Sequence, residues 1–247
     1  MGNYDGKRVV ITGGTRGIGL ATAKFLRDEG ARVLLTGRSL AGLAAARTEL
    51  GDEATVVESD AASLPDIDQL AARVSSEFGR IDLLFVNAGA SRWASLDQTT
   101  EDVYDELLTV NAKGPYFSVQ RLAPLINDEG AVVLTTSVVN TMGYPRVSAY
   151  AASKAALRSM ARTLAAELLP RKIRVNAVSP GPIDTPILIK SMSRHQADQA
   201  MTMMADQTPM KRLGHPEEIA RAVAFLGFEA TYTTGAEFPV DGGSTQL

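Results

Sequence analysis

Near its amino end the chain reads Arg8-Val-Val-Ile-Thr-Gly-Gly-Thr-Arg-Gly-Ile-Gly19, an apolar run followed by a glycine-rich turn. The β-branched residues of the run are typical of a strand buried on both faces of a parallel sheet. Gly13, Gly17 and Gly19 allow a sharp turn and let backbone N–H groups approach a pyrophosphate. The helix that follows would add the partial positive charge of its N-terminus. The stretch therefore predicts a βαβ unit that binds a dinucleotide, although its G-x-x-x-G-x-G spacing differs from the commoner G-x-G-x-x-G.

The alternation of strand and helix patterns continues to the end of the chain. Alternating βαβα order predicts an α/β fold: a single Rossmann-like, doubly wound parallel β-sheet with helices on both faces. Pro239 places the last short strand, 238–240, at an edge of that sheet. The predicted strands are 8–12, 32–36, 55–59, 82–86, 131–135 and 173–178, and the predicted helices are 17–29, 39–50, 65–78, 100–126 and 149–169.

Composition excludes several classes of protein. The 247 residues carry a net charge of −3 with no basic run, so we expect no nucleic-acid partner. No apolar stretch approaches the roughly 20 residues of a membrane span, and the first residues lack the apolar segment of a secretory signal. With no cysteine and two isolated histidines, no metal site is expected. A cytoplasmic enzyme with one domain over 1–247 fits these observations.

One stretch, at about 183–210, breaks the alternation as an insertion without a strand pattern. It holds five of the eight methionines, whose unbranched side chains fill irregular apolar space. Two interpretations remain open: a lid over a substrate, or a helical insertion packed on the core. His195 has no partner in the sequence and is expected at the surface. The five methionines are Met192, Met201, Met203, Met204 and Met210.

A second motif, Ser148-Ala-Tyr-Ala-Ala-Ser-Lys154, predicts proton transfer beside the dinucleotide. Ser148 is a candidate N-cap, so Tyr150 and Lys154 would share a face of the helix that follows. An ammonium one turn away is expected to lower the phenol's pKa from about 10 by about 1–3 units. Ser137 ends a predicted strand, where ligands bind in open α/β sheets, and its hydroxyl can donate to a carbonyl oxygen or alkoxide.

The end of the second strand predicts which dinucleotide binds. An NAD site places a carboxylate there for the ribose 2′-hydroxyl, whereas an NADP site places a cation for the 2′-phosphate. This strand ends Leu35-Thr-Gly-Arg38 with no acid, and Arg16 lies inside the glycine turn. The planar forks of two arginines suit a phosphate, so the sequence favours NADP(H).

These motifs resemble those of the short-chain dehydrogenase/reductase family, and the resemblance covers essentially the whole chain. It implies that Asn111, Ser137, Tyr150 and Lys154 form a catalytic tetrad. A water held near Asn111, where Pro115 can bend the helix, would join Lys154 to bulk solvent. The resemblance implies these cofactor-binding residues: Gly13, Thr15, Arg16, Gly17, Ile18, Gly19, Arg38, Asp60, Ala61, Asn87, Ala88, Gly89, Tyr150, Lys154, Pro180, Gly181, Ile183 and Thr185.

The expected reaction is hydride transfer between NADP(H) and a ketone, aldehyde or secondary alcohol, with Tyr150 as general acid or base. The substrate pocket is predicted to include Trp93, Val139, Met142 and Tyr144, although Trp93 can equally be a packing residue. The family is commonly tetrameric, so we expect a homotetramer or a dimer that pairs the helices 100–126 and 149–169.

Two alternatives remain at this point. One is a 3-oxoacyl-[acyl-carrier-protein] reductase, which the acidic stretch 127–130 disfavours because the carrier is itself acidic, although Arg171 and Lys172 could still meet it. The other is a nucleotide-binding regulator that kept the fold without turnover. The complete tetrad argues against the regulator.

Overall fold

A computed structural model of the chain describes residues 2–185 and 194–247. Its seven strands pair in parallel throughout, in the order β3-β2-β1-β4-β5-β6-β7. The predicted doubly wound parallel sheet is confirmed. The strands are β1 Arg8–Thr12, β2 Arg32–Gly37, β3 Ala54–Glu58, β4 Ile81–Val86, β5 Ile126–Thr135, β6 Arg174–Pro180 and β7 Glu237–Val240.

Helices cover both faces of this sheet. The alternation of side chains along each strand explains the two apolar layers: in β1, Val9 and Ile11 enter one core and Val10 enters the other. In the described part of the chain the α-helices are α1 Gly17–Asp28, α2 Leu40–Leu50, α3 Leu64–Phe78, α4 Glu101–Leu108, α5 Gly114–Leu122, α6 Ser148–Leu168, α7 Arg194–Gln207 and α8 Pro216–Ala224. None of them combines the length and apolarity that crossing a bilayer requires.

The helix expected over 100–126 is interrupted. α4 passes through a π-helical turn, Thr109–Lys113, into α5, and a 3₁₀ turn then leads to β5. In an α-helix the carbonyl of Asn111 would accept from the N–H of residue 115, and Pro115 has none. The interruption therefore follows from a proline that the sequence shows, although its π form could not be read from it.

Two further boundaries differ from expectation. Ser148 is not the N-cap of α6: the helix begins at Ser148 and Val147 occupies the capping position without a side-chain bond. β5 begins five residues before the predicted strand, since Ile126 pairs with Ile81 ahead of a register irregularity in β4. The prediction of an edge strand at Pro239 is confirmed, because β7 pairs only with β6 among the described strands.

The β3-β2-β1-β4 order reverses the direction of winding between β1 and β4. Crevices that bind ligands open at the carboxyl ends of strands at such a switch point. The glycine turn, the end of β4 and Ser137 all lie at these carboxyl ends. The fold therefore brings the motifs of the sequence to one edge of the sheet.

Candidate active site

The glycine turn is held tightly against the end of β4. A Cβ atom on Gly13 would lie 2.7 Å from the Cα of Ala88, and one on Gly19 would lie 2.4 Å from the carbonyl oxygen of Gly13. Gly17 begins α1 with φ +52°, in the left-handed region that favours glycine. Gly13 and Gly19 thus allow close backbone packing, and Gly13, with φ +65°, and Gly17 both turn the chain through the left-handed region.

Asn87 fastens this turn to the neighbouring strands. Its side-chain nitrogen donates to the carbonyl of Gly13 at 2.9 Å, and its side-chain oxygen accepts from the hydroxyl of Thr135 at 3.4 Å. The hydroxyl of Thr12 accepts from the backbone N–H groups of Asn87 and Ala88, each at 3.1 Å. The Asn-Ala-Gly segment is therefore a cross-strand support at the switch point.

A single cavity of about 850 Å³ contains most of the candidate residues. Gly19 is the only predicted cofactor residue that does not line it, because Gly19 packs on the backbone behind the turn. The cavity also contains three lining serines that sequence reasoning missed: Ser39, Ser59 and Ser244. The predicted cofactor residues that line it are Gly13, Thr15, Arg16, Gly17, Ile18, Arg38, Asp60, Ala61, Asn87, Ala88, Gly89, Tyr150, Lys154, Pro180, Gly181, Ile183 and Thr185.

The two predicted arginines lie at one end of the cavity. Arg38 Nη1 lies 3.7 Å from a carboxylate oxygen of Asp60, and its side chain is 56% exposed. Arg16 is exposed at the N-cap of α1 and makes no ion pair with the residues that the structure describes. A cationic region thus adjoins the N-terminus of α1, which also favours anions.

Lys154 is buried and reaches the adjacent strand. Only 3% of its surface is exposed, and its Nζ atom donates to the backbone carbonyl of Thr135 at 2.8 Å. A Cβ atom on Gly89 would lie 3.5 Å from this Nζ, so the ammonium sits between the ends of β4 and β5. Burial lowers the pKa of Lys154 to about 8, because the charged form loses hydration.

Tyr150 shares this corner of the cavity, but its acidity differs from the expectation. Burial raises the pKa of Tyr150, and a hydrogen bond with Ser137 offsets part of the rise. The expectation that Lys154 lowers this pKa is wrong for the chain by itself. The ammonium is directed at the carbonyl of Thr135 and lies 5.9 Å from the centre of the phenol ring. The phenol therefore stays protonated at neutral pH.

Asn111 is fully buried in the π-helical turn, and both polar atoms of its side-chain amide have hydrogen-bond partners within the protein. Its amide oxygen accepts from the N–H of Ala90 at 2.8 Å. Its amide nitrogen donates to the carbonyl of Ala90 at 2.8 Å and to the hydroxyl of Ser153 at 3.0 Å. Because Pro115 has no N–H, the backbone carbonyl of Asn111 also lacks its α-helical partner.

Three of the four predicted substrate residues line the cavity: Trp93, Val139 and Tyr144. Met142 does not, and its sulfur atom instead lies 3.8 Å from the hydroxyl of Tyr144. Adjacency in sequence suggested Met142, but the 3₁₀ turn Val138–Asn140 leaves it outside the wall. Sequence reasoning missed Pro145, Arg146 and Val147 here, whereas Gln207 and Thr208, which also line the cavity, belong to the insertion at about 183–210.

The methionine-bearing insertion contributes one wall. Met203 and Met204, on α7, line the cavity, and Met203 is 53% exposed. This placement favours a cover over the cavity rather than core packing for these two residues. Met192 lies outside the described residues. His195 is exposed, as expected.

A parallel sheet with a dinucleotide-type turn, and a tyrosine, a lysine and a serine in the same cavity, defines a nucleotide-dependent oxidoreductase. The sequence model of the family described as enoyl-(acyl carrier protein) reductase matches residues 13–245. The chain belongs to the short-chain dehydrogenase/reductase family, whose members are oxidoreductases that use nicotinamide cofactors and act on CH–OH and C=O groups.

Relatives match along nearly the whole chain. Oxidoreductase asL5 of Sarocladium schorii is 39% identical over 245 residues, covering 98% of this chain and 97% of that protein. The 3-oxoacyl-[acyl-carrier-protein] reductase FabG of Thermotoga maritima is 36% identical over 245 residues, covering 97% and 98%. The crystal structure of levodione reductase superposes with a TM-score of 0.92 at 30% identity, covering 98% of this chain and 99% of that one.

Proposed function

We propose that the protein is an NADP(H)-dependent reductase of ketones or aldehydes that also oxidises secondary alcohols. The observation that carries the proposal is the cavity itself. Its arginine-bearing end adjoins the N-terminus of α1, and its other end holds Ser137, Tyr150 and Lys154. A dinucleotide can therefore reach from the cations to the phenol within one continuous space.

The residues present fit a nicotinamide dinucleotide. The open backbone of the turn at Gly17 and the N-terminus of α1 suit a pyrophosphate. A Cβ atom on Gly17 would lie 3.3 Å from the methyl group of Thr185, so Thr185 borders the same turn. We assign the adenine end to Asp60 and Ala61, and the nicotinamide end to Pro180 and Ile183. When bound, the cofactor supplies or accepts the hydride.

The preference for NADP(H) rests on Arg16 and Arg38 together with the absence of an acid at the end of β2. A charge-assisted contact to a phosphate contributes about 1.5–3 kcal/mol. We expect Arg38→Gln to weaken NADPH binding about 10–150-fold, as that energy implies, and to change NADH binding much less. Arg73→Gln is the matched control, since Arg73 is also 56% exposed and paired with an acid, Glu77. Equal losses for both cofactors would contradict the assignment.

At the other end, Tyr150 acts as the general acid of reduction. Because burial raises its pKa, it is protonated at neutral pH and can donate its proton to the substrate oxygen. Ser137 donates a hydrogen bond to the same oxygen as negative charge develops there. The ammonium of Lys154, held by the carbonyl of Thr135, binds the ribose of the nicotinamide, and the backbone carbonyl of Asn111 holds a water that returns the proton.

The decisive test is Tyr150→Phe, assayed by NADPH oxidation across a panel of small aliphatic and aromatic ketones. Loss of a general acid costs about 10²–10⁴-fold in kcat. NADPH affinity, measured by fluorescence titration, should change little. Tyr232→Phe is the control, because Tyr232 is fully exposed. A Tyr150→Phe enzyme with substantial residual turnover would overturn the role, and a wild type that binds NADPH but reduces no ketone would favour the regulator.

The relatedness to FabG favours a second candidate, reduction of a 3-oxoacyl group on acyl carrier protein. The local charges do not favour it. Arg171 pairs with Asp128, and Lys172 pairs with Glu129, so an acidic carrier would compete for these cations with the acidic stretch beside them. A kcat/KM for an acyl-carrier substrate well above that for the matching free thioester or small ketone would support this candidate.

For the assembly, we propose a homotetramer or dimer paired through α4, α5 and α6. Tyr104 and Tyr116 support this, because they are large aromatic residues left 48% and 40% exposed on α4 and α5. A groove beside Tyr116 is bordered by Met160 and Leu164 of α6. Light scattering coupled to size exclusion would measure the mass, and a monomer at micromolar concentration would contradict the proposal.

A further inference from the structure

One carboxylate outside the cavity connects three elements of the fold. Glu237 lies on the edge strand β7, and its side chain is only 11% exposed. Its Oε1 atom accepts hydrogen bonds from the hydroxyl of Thr136 and the amide nitrogen of Asn140, both at 2.6 Å. Its Oε2 atom lies 2.7 Å from Nε of Arg158, on α6.

The partners of Glu237 flank the residues proposed for chemistry. Thr136 directly precedes Ser137, and Asn140 ends the 3₁₀ turn that follows Ser137. Arg158 lies one helical turn beyond Lys154 on the same helix. Glu237 therefore joins the loop that carries Ser137 to the helix that carries Tyr150 and Lys154.

This arrangement is costly for a purely structural contact. A carboxylate with little hydration is favourable only when it is fully paired, and apolar residues often stabilise such a position at least as well. The bonds here are incomplete. Among the described residues, the only two buried side-chain polar atoms without an aligned hydrogen bond are Oδ1 of Asn140 and Nε of Arg158, both in this cluster; the 2.7 Å contact of that Nε with Glu237 is an ion pair in which the N–H is not directed at the carboxylate. The cluster thus holds a particular geometry at some cost in stability.

We propose that Glu237 is a positioning residue that holds Ser137 at the correct distance from Tyr150. The inference deepens the proposed function and rests on it, since the two hydroxyls are there assigned to one substrate oxygen. Glu237 acts through Thr136 and Asn140 and has no contact with the cavity. Misplacement of a catalytic group by about 1 Å can cost about 10²-fold in rate.

The experiment compares Glu237→Ala with Glu237→Gln. Glutamine keeps a carbonyl oxygen for Thr136 and Asn140, whereas alanine removes every bond. We expect Glu237→Ala to lower kcat about 10–100-fold with a small change in KM and in NADPH affinity. Glu237→Gln should recover kcat to within about fivefold of the wild type, because the loop that carries Ser137 stays attached. Assays run well below each variant's melting temperature.

Asp82→Ala is the matched control. Asp82 also joins three strands, because it accepts from the backbone N–H of Arg8 at 2.8 Å and from the amide of Asn127 at 3.1 Å. It lies near the start of β4, at the opposite end of the sheet from the cavity. Asp82→Ala should lower the melting temperature without lowering kcat.

A crystal structure of Glu237→Ala adds a readout that needs no substrate. Displacement of the Ser137 hydroxyl from Tyr150, together with recovery in Glu237→Gln, supports the proposal. A kcat within about twofold of the wild type, equal losses in the alanine and glutamine variants, or an unmoved Ser137 would overturn it. If the wild type reduces no carbonyl compound, the proposed function is wrong. The crystal structure of Glu237→Ala would still show, from the position of Ser137, whether Glu237 positions that residue.

Discussion

Replacing Lys154 with methionine should make the protein more stable at neutral pH while removing its activity. Burial lowers the pKa of Lys154 from 10.5 to about 8. At about 1.4 kcal/mol per pKa unit, keeping this lysine charged in the folded protein costs about 3 kcal/mol at neutral pH. Methionine removes that cost. It also removes the hydrogen bond to the backbone carbonyl of Thr135, and a buried carbonyl without a partner destabilises the folded protein by about 1–3 kcal/mol. We expect a net gain of up to about 2 kcal/mol.

The sign of the effect depends on pH. Between about pH 8 and pH 10.5 the unfolded wild type binds more protons than the folded protein, so its stability rises with pH. From about pH 7 to pH 10 the wild type should gain about 2–3 kcal/mol relative to Lys154→Met. At pH 10 the buried lysine then destabilises the wild type by only about 1 kcal/mol. The wild type should therefore become more stable than Lys154→Met.

Urea unfolding followed by circular dichroism measures both proteins across this pH range, without nucleotide because a ligand would itself stabilise the fold. Lys24→Met is the control. Lys24 is 40% exposed and paired with Glu49, so its replacement should show much less dependence on pH. A stability difference between Lys154→Met and the wild type that stays constant from pH 7 to pH 10 would refute the reasoning.

Three other substitutions test the packing and the pocket. Gly19→Ala should destabilise the protein by about 1–3 kcal/mol and weaken nucleotide binding, because its Cβ atom would lie 2.4 Å from the carbonyl oxygen of Gly13. The control is Gly143→Ala, whose Cβ atom would meet nothing within 4 Å and which should change neither stability nor binding. Tyr4→Phe removes a 2.7 Å hydrogen bond to Glu229 and should lower stability by about 1 kcal/mol with kcat unchanged. Trp93→Ala should raise KM for aromatic ketones more than for small aliphatic ones. Equal changes in KM for the two classes of ketone would indicate that Trp93 is a packing residue.

Much of the candidate site could be predicted because its signals are local. A run of β-branched residues, a glycine-rich turn and a helix follow one another within a few residues, so β1 and the start of α1 were correct to within a residue. The helical repeat alone places Tyr150 and Lys154 on one face. Pro115 indicated an interruption of its helix. Most of the predicted cofactor residues also line one cavity, since strand ends in a parallel sheet meet at one edge.

What the sequence by itself determined is therefore the order of elements and the identity of the chemical groups. Tertiary structure alone decided where those groups point. The ammonium of Lys154 bonds to the carbonyl of Thr135 rather than acidifying Tyr150, because the end of β5 passes beside α6. Glu237 meets Thr136 across 101 positions of sequence. Such contacts depend on how β5, β6 and β7 pack side by side, and no local pattern encodes the distance between side chains brought together only by folding.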